Sequence, residues 1–414
     1  MSEAEHSLNF TIVGAGQAGA EVAKTLRKRG FEGRIQLYGD EPHLPYRRPP
    51  LSKAYLSGDA SEDSFCLLNR PQLEKLDIQF HPDVRVEDIN RTDKNLTLAD
   101  GSQQHYDKRA LTTGGRSRPL PLEGAQADNV FALRAIADVQ RMRPQFTVGK
   151  QLVIIGGGFI GLEVAAVASK LGLKVTVVEG LGRVLSRVTS EEMSTFFEST
   201  HRNAGVDLRT GARLERFDVA EDGDHVTGVV LADGAQIPAD VVLVGIGQLP
   251  NIELAQAAGL DIDNGIAVDE CAQTSDPDIV AAGDCANFPS ALYGRRLRLE
   301  SVQNAMEQSR SAAAAMMDAR EAYAGLPWFW SDQYELKLQM AGLSQGHDEK
   351  ILRGDPADGK FAIFYLQQGR LIAADTIGRP KDFMAAKKLI LARATPDRAS
   401  LADPDIPLKT LLSS

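Results

Sequence analysis

Short apolar runs closed by glycine recur along this chain, each followed by a segment patterned as helix. Phe10-Thr11-Ile12-Val13 ends in Gly14-Ala15-Gly16-Gln17-Ala18-Gly19, and Leu152-Val153-Ile154-Ile155 ends in Gly156-Gly157-Gly158-Phe159-Ile160-Gly161. A short, mainly apolar run closed by glycine predicts a buried strand, and the pattern after each predicts a strand-turn-helix unit. Residues 34 to 38 and 174 to 178 predict the next strand of each unit. The alternation of strand-like and helix-like segments continues from residue 10 to about 115. Pro45-Tyr46-Arg47-Arg48-Pro49-Pro50 interrupts it, because proline removes a donor and restricts the residue before it, so an ordered, non-helical loop is predicted there. A helix pattern spans about 301 to 319. From about 324 the texture changes to aromatic Trp328-Phe329-Trp330, alternating strands Lys360–Gln367 and Arg370–Ile377, and a helix-like stretch over 382 to 394. The whole reads as an α/β chain with a small α+β region at its end.

Both glycine clusters have the spacing that cradles a dinucleotide. The first glycine permits a tight turn, the second lets backbone approach a pyrophosphate, and the third lets helix and strand pack closely, with the diphosphate on the helix N-terminus. Gly14, Gly16, Ala18 and Gly19 form one candidate site; Gly156, Gly158, Ile160 and Gly161 form the other. Two copies one domain apart imply two nucleotide cofactors on one polypeptide. A carboxylate is expected at the end of the next strand to accept from ribose hydroxyls, and Asp40 (with Glu41 beside it) and Glu179 stand there. Glu179 would repel a 2′-phosphate, which favours NADH over NADPH; Arg183 nearby works against that preference.

The length of 414 residues allows two or three domains. Their boundaries are expected at 1–115 with 246–323 for a discontinuous first nucleotide domain, 116–245 for the second, and 324–414 for the C-terminal part. The proline pair in Arg118-Pro119-Leu120-Pro121 and the turn Gly245-Ile246-Gly247 mark the crossings. A net charge of −10 argues against non-specific nucleic-acid binding, and no apolar run is long enough to span a membrane. The acidic start carries no leader pattern, so a cytoplasmic location is expected. Cys66, Cys271 and Cys285 are far apart and odd in number, which predicts neither a disulfide framework nor a metal site.

These segments together resemble the FAD-dependent ferredoxin reductases of bacterial oxygenase systems, flavoproteins of glutathione-reductase-like architecture with two Rossmann-like dinucleotide-binding domains and a C-terminal α+β domain. Nearly the whole chain is covered. Pro49-Pro50-Leu51-Ser52-Lys53-Ala54-Tyr55-Leu56, Gly156 to Glu163, and Trp328-Phe329-Trp330-Ser331-Asp332-Gln333-Tyr334 carry the likeness. It implies noncovalent FAD against Ala18, Asp40, Lys53, Val86, Arg134, Asp284 and Val302, with NADH as cosubstrate. Asp284 also has its own argument: a carboxylate after Ala281-Ala282-Gly283, at a strand end and helix start, can reach a flavin ribitol. Glu163, in an otherwise apolar helix, needs a partner, and Lys53 is expected to pair with it beside the flavin.

The expected reaction is hydride transfer from NADH to flavin and single-electron delivery to a [2Fe-2S] ferredoxin supplying a terminal monooxygenase or ring-hydroxylating dioxygenase. Lys53, Glu163 and Trp330 are the candidate catalytic groups, Trp330 on the electron-exit side. No nucleophile or proton shuttle is required, so the seven histidines are assigned no role. The stretch from Arg47 to Lys53 lacks the thiols that disulfide reductases of this architecture carry. An NADH oxidase or quinone-type reductase, and a slow redox-sensing flavoprotein, are the alternatives. A basic surface from Arg295, Arg296, Arg298, Arg310, Lys387, Lys388 and Lys409 is expected to receive an acidic ferredoxin.

Overall fold

The computed structural model describes residues 8–412 apart from residue 222. The acidic start, residues 1–5, to which the expectation of no leader applies, lies outside the described residues. The chain forms two compact units: residues 1–48, 61–116 and 249–327, and residues 49–60, 117–248 and 328–414. The proline segment therefore divides after Arg48, Pro49 and Pro50 grouping with the second fingerprint and the C-terminal region.

In the first unit, five parallel strands lie in the order Ile279–Ala281, Lys108–Leu111, Asn9–Val13, Arg34–Tyr38, Ile78–His81. The first fingerprint strand is central: Arg34–Tyr38 and Lys108–Leu111, both later in the chain, lie on its two sides, so the strand order reverses there. A crevice opens at such a reversal, at the carboxyl ends of the strands. The helix Gln17–Lys28 buries Ala20, Val22, Ala23 and Leu26 in one core with Phe10, Ile12, Ile35 and Leu37. Ala312, Ala313 and Met316 of the helix Val302–Met316 join that core, and the small alanines allow the two helices to approach closely. Ser301 caps this helix by accepting from the Asn304 N–H. It runs from Val302 rather than from 301, and stops three residues short of 319.

The second unit repeats the arrangement with strands in the order Asp207–Thr210, Lys174–Glu179, Gln151–Ile155, Val241–Val244, Val130–Phe131, all parallel. Its fingerprint strand is again central. The C-terminal region adds an antiparallel sheet in the order Trp328–Gln333, Leu336–Gly342, Arg370–Ile377, Lys360–Gln367, Glu349–Asp355, covered by the helix Pro380–Leu391. The two strands expected at 360–367 and 370–377 have those bounds. The proline loop needs a correction: Pro49–Ser52 closes a 3-10 turn, because proline at the start of a helical turn gives up an N–H that would be unsatisfied anyway.

Candidate active site

The three glycines of each fingerprint separate by what surrounds them. Gly14 and Gly156 have φ of +106° and +112°, the left-handed region that favours glycine. A side chain at Gly19 would run into the Gly14 carbonyl, and one at Gly161 into the Gly156 carbonyl, so these glycines close helix against turn. At Gly16 and Gly158, by contrast, an added Cβ would meet no heavy atom within 4 Å. Each of the two is the N-cap of its helix and offers no side-chain cap, leaving the first backbone N–H groups to an external acceptor. Gln17 Oε1 is also buried without a hydrogen-bond partner. Open space at one glycine and uncapped backbone amides are what a pyrophosphate cradle provides, so both sites fit the nucleotides expected of them.

Around the first cradle, Asp40 is exposed at the strand end, whereas Glu41 accepts from Tyr46 Oη (2.6 Å) and Arg48 (2.8 Å). Of the two carboxylates, Glu41 is thus the engaged one and Asp40 the exposed one. The N–H of Val84 donates to the Gly39 carbonyl at 2.8 Å, which places the strand Val86–Asn90 directly after the segment that clasps this turn. Gly283 approaches Ala18 and Ala305, so Asp284, half-buried after the strand Ile279–Ala281, comes to the fingerprint helix and the start of Val302–Met316. Ala18, Asp40, Val86, Asp284 and Val302 all belong to the first unit. Arg134 and Lys53 belong to the second, where Arg134 donates to Gln248 Oε1 at 3.0 Å. Arg48, half-buried and within electrostatic reach of Asp284, was not singled out from the sequence; nothing local distinguishes it from Arg47.

At the second cradle Glu179 accepts from the N–H groups of Gly157 (2.7 Å) and Leu181 (2.8 Å), which fixes its carboxylate over the fingerprint turn. Arg183 is turned away into Ser194 Oγ (2.6 Å) and the carbonyls of Ser186 and Ser190. Ile160 is 45% exposed at the helix start.

Lys53 and Glu163 meet within the second unit, Nζ to Oε2 at 2.6 Å. Glu163 is 4% exposed, and its burial is compensated by more than lysine: Ser52 Oγ donates to Oε2 and Ser331 Oγ to Oε1 at 2.7 Å. Neither serine was identified from the sequence. Ser52 adjoins Lys53, and Ser331 occupies the inward position of a strand whose outward positions carry Trp328 and Trp330, whose rings lie 5.7 Å apart. Phe329 packs on Phe159 of the fingerprint helix at 4.6 Å.

The basic candidates are less free than their charge suggests. Arg310 pairs with Glu21 at 2.9 Å, Arg298 with Glu300 at 2.7 Å, Arg296 with Asp263 at 3.6 Å, and Lys387 lies over the Trp328 ring at 5.0 Å. Cys66, Cys271 and Cys285 are free thiols. Asp269, Glu270 and Cys271 gather their ligand atoms, but Asp269 is engaged by the Cys271 and Gln273 N–H groups and by Arg320.

The family model for pyridine nucleotide-disulphide oxidoreductases matches residues 8–309, and the reductase C-terminal model matches residues 328–412. The chain belongs to the pyridine nucleotide-disulphide oxidoreductase family. Within this family it is 47% identical to putidaredoxin reductase of Pseudomonas putida over 409 residues, covering 98% of this chain and 97% of that protein. It is 43% identical to rhodocoxin reductase of Rhodococcus erythropolis, covering 98% and 95%. The crystal structure of a covalent putidaredoxin reductase–putidaredoxin complex superposes with a TM-score of 0.95 at 46% identity, covering 99% and 98%. The disulphide in the family's name has no counterpart after the first fingerprint, where Lys53 stands in a stretch without cysteine.

Proposed function

We propose that this chain is an FAD-dependent NADH:ferredoxin reductase, passing electrons through a [2Fe-2S] ferredoxin to a monooxygenase or ring-hydroxylating dioxygenase. The likeness over almost the full length to reductases named for their iron-sulfur partners carries the reading. FAD is assigned to the first fingerprint with Ala18, Asp40, Val86, Asp284 and Val302, and to Lys53 and Arg134 of the second unit. NADH is assigned to Gly156, Gly158, Ile160, Gly161 and Glu179. The domains would be 1–115 with 246–323, 116–245 and 324–414.

Bound FAD supplies the conversion of a two-electron hydride into single electrons. The protein's own work is placement. The uncapped helix starts hold diphosphates, the carboxylates of Asp40 and Glu179 select ribose hydroxyls, and Lys53 with Glu163 fixes charge where the nicotinamide must come within near-attack distance. Trp330 is assigned to the electron-exit side. Among the described residues no helix is long and apolar enough to cross a membrane, and a cytoplasmic setting suits an NADH-fed electron carrier.

A panel of [2Fe-2S] ferredoxins tested as acceptors with NADH decides the matter. At least one should be reduced with a kcat/KM far above that for oxygen or quinones. NADH consumption that proceeds equally with oxygen alone would favour an oxidase instead.

A further inference from the structure

The Glu163 carboxylate is the end of a longer buried chain. Ser331 Oγ donates to Glu163 Oε1 at 2.7 Å, Gln333 Nε2 donates to Ser331 Oγ at 3.2 Å, His201 Nε2 lies 2.9 Å from Gln333 Oε1, and Tyr334 Oη lies 3.1 Å from His201 Nδ1. Ser331, Gln333 and His201 are 0%, 1% and 0% exposed. Valence fixes the direction of the links from Glu163 to His201 Nε2, and a ring kept neutral by burial sets the last one. A carboxylate only accepts, so Ser331 spends its hydrogen on Glu163 and takes one from the Gln333 amide. The Gln333 carbonyl must then accept from His201 Nε2–H, leaving Nδ1 to accept from the Tyr334 hydroxyl. His201 is thereby the neutral Nε2–H tautomer; its burial also lowers its pKa, against a rise from Gln333. Tyr334 sits at φ +54°, a left-handed backbone unusual for tyrosine, at the turn that brings its hydroxyl to His201.

We propose that Gln333 and His201 are positioning residues for the reaction: through Ser331 they fix the orientation of the Glu163 carboxylate and stabilise its negative charge opposite Lys53. Donors aligned head to tail polarise one another, so the last hydroxyl gives a stronger bond than an isolated serine would. The same chain ties the fingerprint helix to the inner face of the strand whose outer face carries Trp330. This inference rests on the reading that the Lys53–Glu163 pair meets the reacting ring.

The test uses the FAD-loaded protein with Gln333→Leu, His201→Leu, His201→Gln and, as reference, Glu163→Gln. Single-turnover flavin reduction by NADH should slow about tenfold in Gln333→Leu and His201→Leu, the scale of one lost buried hydrogen bond. His201→Gln keeps an N–H donor and should recover most of the rate. The flavin midpoint potential should move in the two leucine variants and return in His201→Gln. Parental rate and potential in both leucine variants, with Glu163→Gln slow, would overturn the relay and leave the active-site reading intact. Parental behaviour of Glu163→Gln as well removes that reading and the relay with it. Independently of any variant's folding, ¹⁵N-histidine NMR of the unmodified protein at neutral pH should contain a buried Nε2–H tautomer insensitive to pH; an Nδ1–H or charged ring at His201 overturns the proposal.

Discussion

At the scale of single residues, the discriminating feature of the second cradle is which charges are free. Glu179 is pinned by two backbone N–H groups, while Arg183 is consumed by serine hydroxyl and carbonyl oxygens. A 2′-phosphate there would face the Glu179 carboxylate, with Arg183 already engaged by serine oxygens. Like charges near 4 Å repel by about 1–4 kcal/mol between water-like and surface-like dielectrics, so kcat/KM should favour NADH over NADPH by about tenfold or more. Glu179→Gln should narrow that ratio; equal use of both nucleotides by the parent protein would remove the argument. Glu163 supports a second expectation. Its removal leaves the Lys53 ammonium and two serine hydroxyls without their acceptor, whereas Lys53→Met leaves the carboxylate still holding both hydroxyls. Glu163→Ala should therefore slow flavin reduction or weaken FAD retention more than Lys53→Met. The double variant should depart from additivity by about 0.5–3 kcal/mol, as contacting residues do; additive effects in stopped-flow reduction would show the two act separately.

At the scale of elements, the strand Trp328–Gln333 works on both faces. Ser331 and Gln333 point to the buried side and Trp328 and Trp330 stand on the other, because successive strand residues alternate. Trp330→Ala should lower ferredoxin reduction several-fold while leaving NADH-to-flavin transfer near normal, measured as two separate half-reactions. An equal loss in both, with a lower Tm, would point to packing instead. This strand also shows where sequence reading stops. The fingerprint strands, the late Gly283-Asp284 turn and the two strands at 360–377 were legible because glycine spacing and apolar runs are local signals. The Lys53–Glu163 pair was legible because a lone acid in an apolar helix demands a cation. Ser331, Gln333 and His201 carry no such demand in their own neighbourhoods: a serine, an amide and a histidine are unremarkable in a strand and a helix. Their significance comes from separations of 132 and 168 residues that only the fold closes. The 3-10 turn at Pro49–Ser52 was missed for a different reason, since proline's veto on helix interiors does not extend to their first turn.

At the scale of the whole molecule, a second buried carboxylate sets how stability responds to pH. Asp375 is 2% exposed on the C-terminal sheet and accepts from Thr189 Oγ1 (2.5 Å) and Tyr365 Oη (2.6 Å), joining that sheet to the segment that follows Glu179. Burial pushes its pKa up to about 6, and the two hydroxyl bonds offset only part of that rise. A carboxyl whose folded pKa exceeds its unfolded value holds its proton more tightly when folded. Unfolding then releases a proton between about pH 4 and 6, so this group's contribution to stability falls as pH rises through that window and stays lost above it. Several acids nearer the surface have lowered values and act in the opposite sense, among them half-buried Asp240, held down by the Gln151 N–H and Lys150. Total stability therefore does not isolate Asp375, but a difference does. Asp375→Asn keeps a carbonyl for the two hydroxyls and has nothing to ionise. Its stability relative to the parent should rise by roughly 1–3 kcal/mol between pH 4.5 and 7.5, read from urea unfolding of both FAD-loaded proteins side by side. Curves that stay parallel across that range would mean Asp375 titrates no differently in the folded and unfolded chains.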